Sequence, residues 1–186
     1  MKTTSFIIIW TFIGFLLNII ATFTPFEIPF LDITKGYNIE FLGMGINLQI
    51  ASLLFVSCVG GATASKYAQL LYLAMGIIGE PLYINGSTFD MFQEPTFGYI
   101  LGSIFASETV GEKAFESKLN LLNILKSCYI GLFIVHLCGF VGLLLFAPTG
   151  IIWVSFILKY SLIPLPSQII LVFFTSILAF LFRRIL

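Results

Sequence analysis

Charge is what this chain has least of. Only 10% of its 186 residues are Asp, Glu, Lys or Arg, where a soluble domain usually carries about 25%. Too few charges remain to cover a globular surface in water. With 59% hydrophobic residues and a mean hydropathy of +1.05, the solvent of this chain is lipid. Neither sign of charge is in excess: nine basic residues face nine acidic ones, so nothing favours a nucleic acid. Histidine occurs once, as His136 within an apolar run, and reads as a hydrogen-bonded packing residue. No His, Cys, Asp and Glu stand at metal-ligand spacing, so no metal is expected. The three cysteines, Cys58, Cys128 and Cys138, also lie in apolar runs and read as small buried packing residues. There is no Gly-rich loop with a following Lys, and no Ser with a partnering base. No enzyme and no cofactor are expected, and ATP hydrolysis, if it powers the protein, belongs to another subunit. Acidic residues are also missing from the middle of the apolar runs. That disfavours a proton- or sodium-coupled carrier, whose relays use intramembrane Asp, Glu or His. Small-molecule binding remains.

What is present is a series of apolar runs. The first, Ser5–Phe23, follows Lys2 as in a signal peptide. It is long enough to span, and no Ala-x-Ala site follows, so a retained helix is expected. Further spans are read at Phe41–Gly60, Tyr67–Ile78, Pro95–Ser107, Leu119–Phe146 and Ser167–Phe182. The fifth is too long for one upright crossing and must tilt or project. Thr24–Glu40 mixes Pro25, Pro29 and Gly36 with Phe26, Ile28, Phe30 and Leu31, the composition of a loop lying on protein as a lid. Glu108–Lys118 reads as a charged loop, and Ile151–Tyr160 as an interfacial segment. Within the first span, Thr11, Gly14, Asn18 and Ala21 form a small stripe suited to close helix approach, within the chain or against a partner. The expected fold is an all-α polytopic membrane protein with six transmembrane helices, as one domain over residues 1–186. Six spans put both termini on one side, with Lys2, Lys66, Lys113, Lys118, Arg183 and Arg184, and with Lys126 near it. Only Lys35 and Lys159 fall opposite, so the positive-inside rule places the N- and C-termini in the cytoplasm.

A polar island from Gly79 to Gly102 interrupts the apolar pattern, with Glu80, Asn85, Ser87, Thr88, Asp90, Gln93 and Glu94 bracketed by Pro81 and Pro95. Irregular polar chain is tolerated beside lipid only where protein or water covers it. By the topology above, the island, the Thr24–Glu40 loop and the Ile151–Pro166 segment share the outer mouth, as a pocket open to the exterior requires. Its candidate polar groups are Gln49, Asn85, Gln93, Tyr99, Lys159, Tyr160 and Gln168. Interface anchoring, helix capping and plain solvation are the alternative roles.

These residues also carry a resemblance. Gly79-Glu80-Pro81-Leu82-Tyr83 followed by Glu94-Pro95-Thr96-Phe97-Gly98-Tyr99-Ile100-Leu101-Gly102 resembles the BioY family of biotin-specific S components of energy-coupling-factor (ECF) transporters. Asn47-Leu48-Gln49, the stretch Ile134–Gly139, and Leu165-Pro166-Ser167-Gln168 are similar to family stretches at the matching spans. Tyr160 to Arg184 resembles cyanobacterial and plastid-type members. The resemblance implies a six-helix cup that takes biotin from outside and delivers it inward. It also implies a membrane coupling subunit, a pair of cytoplasmic ATPases, and a location in the cell membrane or a plastid membrane. The family meets its coupling subunit through a small-residue face on the first helix, a role that Thr11, Gly14 and Asn18 would serve here. Where the family has Asp and then Lys at the start of the sixth span, this chain has Gln168 and Leu171. Gln168 can both donate to and accept from a ureido ring, whereas the charge for the carboxylate must come from Lys159 or Lys35. The expected ligand-binding residues are Gln49, Asn85, Tyr99, Lys159 and Gln168. The alternatives are an S component for a different small vitamin, and a membrane scaffold or assembly protein.

Overall fold

The computed structural model describes residues 3–32, 38–78, 96–146 and 151–186. Six helices of 12 to 26 residues carry the architecture. They are α1 (Thr4–Phe23), α2 (Gln49–Gly60), α3 (Ala62–Ile78), α4 (Phe97–Glu116), α5 (Leu121–Phe146) and α7 (Leu165–Ile185), with a short α6 (Ile151–Ile157) before the last. The fold is helical and polytopic. Among the described residues, Thr4–Phe23, Leu121–Leu145 and the stretch Trp153–Ile185 are by themselves long and apolar enough to cross a membrane.

Two segments differ from the sequence reading. Thr24–Glu40 is not an irregular loop: with the start of the second predicted span it builds an antiparallel hairpin, β1 (Pro25–Asp32) against β2 (Asn38–Asn47). Both strands of a two-stranded sheet are edges, so Pro25 and Pro29 are admitted. A bulge between Pro25 and Glu27 and a left-handed Gly45, φ 70°, bend the ribbon. Residues 41–47 therefore belong to the hairpin. The helix α2 that follows has only 12 residues, about 18 Å at 1.5 Å per residue, well short of a hydrocarbon core of about 30 Å. Glu108–Lys118 is likewise helical as far as Glu116. No breaker interrupts it, and Lys66 Nζ meets Glu108 Oε1 at 2.8 Å.

The short α2 is the hub. Leu54, Val56 and Cys58 are almost wholly buried, and α1, α3, α4, α5 and α7 all pack around it. Gly61, at φ 89°, turns the chain from α2 into α3, and the Ser57 and Ser65 hydroxyls bond across the turn at 2.7 Å. The stripe on α1 faces this hub. A Cβ on Gly14 would stand 2.8 Å from Val56 Cγ1 and 2.9 Å from Ala68 Cβ. Thr11 Oγ1 donates to the Ala64 carbonyl at 3.3 Å, and Ser52 donates to Asn18 Oδ1 at 2.8 Å. Thr11, Gly14 and Asn18 are thus consumed by packing within the chain, which corrects the expectation that they serve a coupling subunit. The most extensively packed helix pair is α4 with α5. A Cβ on Gly98 would come within 2.6 Å of the Cys138 carbonyl and 2.8 Å of Gly142 Cα.

The bundle has two unlike ends. At one, Trp10 of α1 stacks edge-on against Phe182 of α7, with centroids 6.2 Å apart, so the first turns of α1 and the last turns of α7 share that end. Arg183 donates to the Ala114 carbonyl there at 2.8 Å. At the other end lie the hairpin, α6 and a π-helical turn, Leu158–Leu162, that leads into α7.

Candidate binding site

Below the hairpin end, α2, α3, α4, α5 and α7 converge on a cavity of about 170 Å³. Its apolar walls are Ile50 and Leu53 of α2, Ile100 of α4 and Val135 of α5. Polar groups enter from every side: Asn47 and Gln49 at the start of α2, Gln69 of α3, Tyr99 and Ser103 of α4, His136 of α5 and Gln168 of α7. Above it a wider cleft of about 800 Å³ opens between the hairpin and the π-helical turn. Lys159, Tyr160, Ile163 and Pro164 line one side of it, and Phe26, Gly43, Gly45 and Ile46 the other. Asn47 and Gln168 line both spaces and form the neck between them.

Local structure explains how these side chains are held. Asn47 ends β2: its Oδ1 accepts from the Gln49 N–H at 3.3 Å and its Nδ2 donates to the Thr22 carbonyl at 3.2 Å, which fastens the hairpin to α1. The side-chain amide of Gln49 meets no hydrogen-bond partner among the described residues. Tyr99 lies over Gly139, where a Cβ would collide with the phenol ring. That glycine lets the ring approach α5, edge-on to His136 with centroids 5.9 Å apart. The Tyr99 hydroxyl bonds to Ser161 on the π-helical turn. His136 Nδ1 stands 3.3 Å from Ser161 Oγ, and its Nε2 stands 2.6 Å from Gln168 Oε1.

No ionisable acid or lysine lines the inner cavity among the described residues. A carboxylate placed there would lose its water without gaining a counter-ion, a costly outcome. The inner cavity suits a neutral group that donates and accepts hydrogen bonds. The cationic position is above, at Lys159, whose Nζ lies 5.1 Å from the Tyr160 ring centroid. Among the described residues no group of three or more His, Cys, Asp or Glu could hold a metal.

The structure therefore brings Gln49, Tyr99 and Gln168 to one cavity and sets Lys159 in the cleft above it. Asn85 and Lys35 lie outside the described residues, as does most of the polar island. Leu171 is buried in the bundle, 3% exposed. Sequence reasoning passed over Gln69, Ser103 and Ser161, and read His136 as packing. A signal for two of them existed. Ser65, Gln69, Tyr72 and Gly76 follow one face of α3, and Tyr99 and Ser103 are one turn apart on α4.

Comparison with known proteins agrees with this fold. The chain is 62% identical over 187 residues to an uncharacterized 21.2 kDa protein in the psbX-ycf33 intergenic region of Cyanophora paradoxa, with all of both chains aligned. It is 31% identical over 64 residues to a probable biotin transporter BioY of Lysinibacillus sphaericus, a match covering 34% of this chain and 33% of that one. Its fold matches the crystal structure of the S-component for biotin from an ECF-type ABC transporter, with a TM-score of 0.74 at 19% identity. That superposition covers 99% of this chain and 95% of the other. The pattern of the BioY family matches residues 3–186, and the chain belongs to that family.

Proposed function

We propose that this protein is the substrate-binding S component of a biotin uptake system, a transport protein that leaves ATP hydrolysis to separate subunits. The observation that carries this reading is the neutral, amide-rich cavity joined through the Asn47–Gln168 neck to a cleft bearing Lys159. Biotin has a matching division: a neutral ureido ring that donates and accepts, and an anionic carboxylate at the end of an apolar tail. The inner cavity alone, at about 170 Å³, is below the roughly 300 Å³ at which ligand pockets begin. The ligand must therefore straddle both spaces, with the ureido ring inside, the tail through the neck and the carboxylate toward Lys159. Capture from outside and delivery inward, with a membrane coupling subunit and an ATPase pair, complete the proposal. The basic residues gathered at the end with the termini support a cytoplasmic placement of that end, in a cell membrane or a plastid membrane.

The scaffold reading is less well supported, because a scaffold should leave no cavity and no Gln49 amide without a partner among the described residues. Competition binding distinguishes the readings. Purified protein should bind labelled biotin saturably, with displacement by unlabelled biotin and desthiobiotin but not by thiamine or riboflavin. Displacement by another vitamin at lower concentration than biotin would reassign the ligand.

A further inference from the structure

The four groups Tyr99, Ser161, His136 and Gln168 form one hydrogen-bonded chain across α4, the π-helical turn, α5 and α7. Its proton order follows from chemistry. A phenol is a better donor and a poorer acceptor than an aliphatic hydroxyl, so Tyr99 donates to Ser161 Oγ. The single Ser161 proton is then left for His136 Nδ1. No acidic residue lines the cavity among the described residues to hold an imidazolium. Uncharged groups therefore surround the ring among the described residues, as suits a neutral imidazole with one donor and one acceptor nitrogen, and because Gln168 Oε1 can only accept, the proton is placed on Nε2. That proton is donated to Gln168 Oε1, 2.6 Å away. One lone pair of the Gln168 carbonyl is thereby taken and the amide can no longer turn its oxygen away from His136, so its two N–H groups are what it offers to a ligand in the inner cavity.

We infer that His136 is a positioning residue that fixes the amide of Gln168, so that this position turns its N–H donors to the ligand and selects one with an acceptor carbonyl at its polar ring. The identification of that group as the ureido carbonyl of biotin rests on the function proposed above; the proton order does not. An analogue with a donor at the same place meets two donors face to face. 2-Iminobiotin is such a probe, since a C=NH group, protonated at neutral pH, replaces the carbonyl.

Two measurements test this. His136 is the only histidine, so ¹⁵N-histidine labelling of the intact protein in bilayers reports one ring. The expected spectrum has a protonated Nε2 and a bare Nδ1; a proton on Nδ1, or on both nitrogens, overturns the inference. The second measurement is the ratio of affinities for biotin and 2-iminobiotin. The intact protein should prefer biotin by about a hundredfold or more. His136→Phe, which frees the Gln168 amide to rotate, should bring the ratio to within about threefold of unity, and His136→Gln, which keeps an N–H near Nε2, should restore most of it. A ratio near one in the unaltered protein, or an unchanged ratio in a folded His136→Phe variant, overturns the inference. If biotin does not bind at all while Nε2 carries the proton, the biotin reading fails and the fixed Gln168 amide stands.

Discussion

In the proposed reading Gln168 and Lys159 divide recognition by charge: Gln168, on α7, lines the neutral inner cavity, and Lys159, on the π-helical turn that leads into α7, lines the exposed cleft. Replacing Lys159 by Met should weaken biotin by about two- to fivefold, the range of a solvent-screened ion pair. The same change should leave biotin amide unaffected, because that ligand has no carboxylate; titrating both ligands against both proteins checks it. Gln49 offers an amide with no competing partner among the described residues, so Gln49→Leu should cost biotin about tenfold, read as Kd, with unchanged thermal stability. The polar candidates Gln49, Tyr99 and Gln168 were legible because each interrupts an apolar run close to a span end. His136 was not legible as part of the same group. Its partners, Gln168 and Ser161, are 32 and 25 residues away in sequence, and only the fold supplies that pairing.

At the level of elements, glycine sets the closest approach. Gly98 and Gly142 place the α4 and α5 backbones in direct contact, and no side chain lies between them to give way. Gly98→Val should therefore destabilise the bundle by about 1–3 kcal/mol, seen as a lower Tm in detergent. Tyr99 is the next residue, so loss of binding should accompany it. The Gly98-x-x-x-Gly102 spacing announced this contact. The hairpin was harder to see. Residues 41–60 are mostly apolar and read as one span, whereas β2 occupies their first third. Gly43 and Gly45, spaced by two, were the local hint of strand rather than helix. The continuation of α4 to Glu116 was hidden by its charges, because charge marks where lipid ends but not where a helix ends.

For the whole molecule, the unlike ends are the organising fact. The polar island first stood out as an anomaly of composition; the structure sets the hairpin and the π-helical turn over the amide-rich cavity, at the end away from the termini. The proposed orientation is checked by labelling in intact cells. A membrane-impermeant thiol reagent should modify Lys159→Cys without permeabilisation and Ser117→Cys only after it; the reverse pattern would invert the topology. Because the stripe of α1 is packed against α2 and α3, the coupling subunit of the proposed system would have to meet another surface; Ile8, Ile9, Phe12, Leu16 and Ile20 form an exposed apolar face on α1. In the proposed reading the neutral cavity and the cleft above it hold one biotin. The decisive measurement is calorimetric titration of the purified, folded protein in lipid nanodiscs. Saturable binding approaching one biotin per chain is the expected result, and the absence of saturable binding would contradict it.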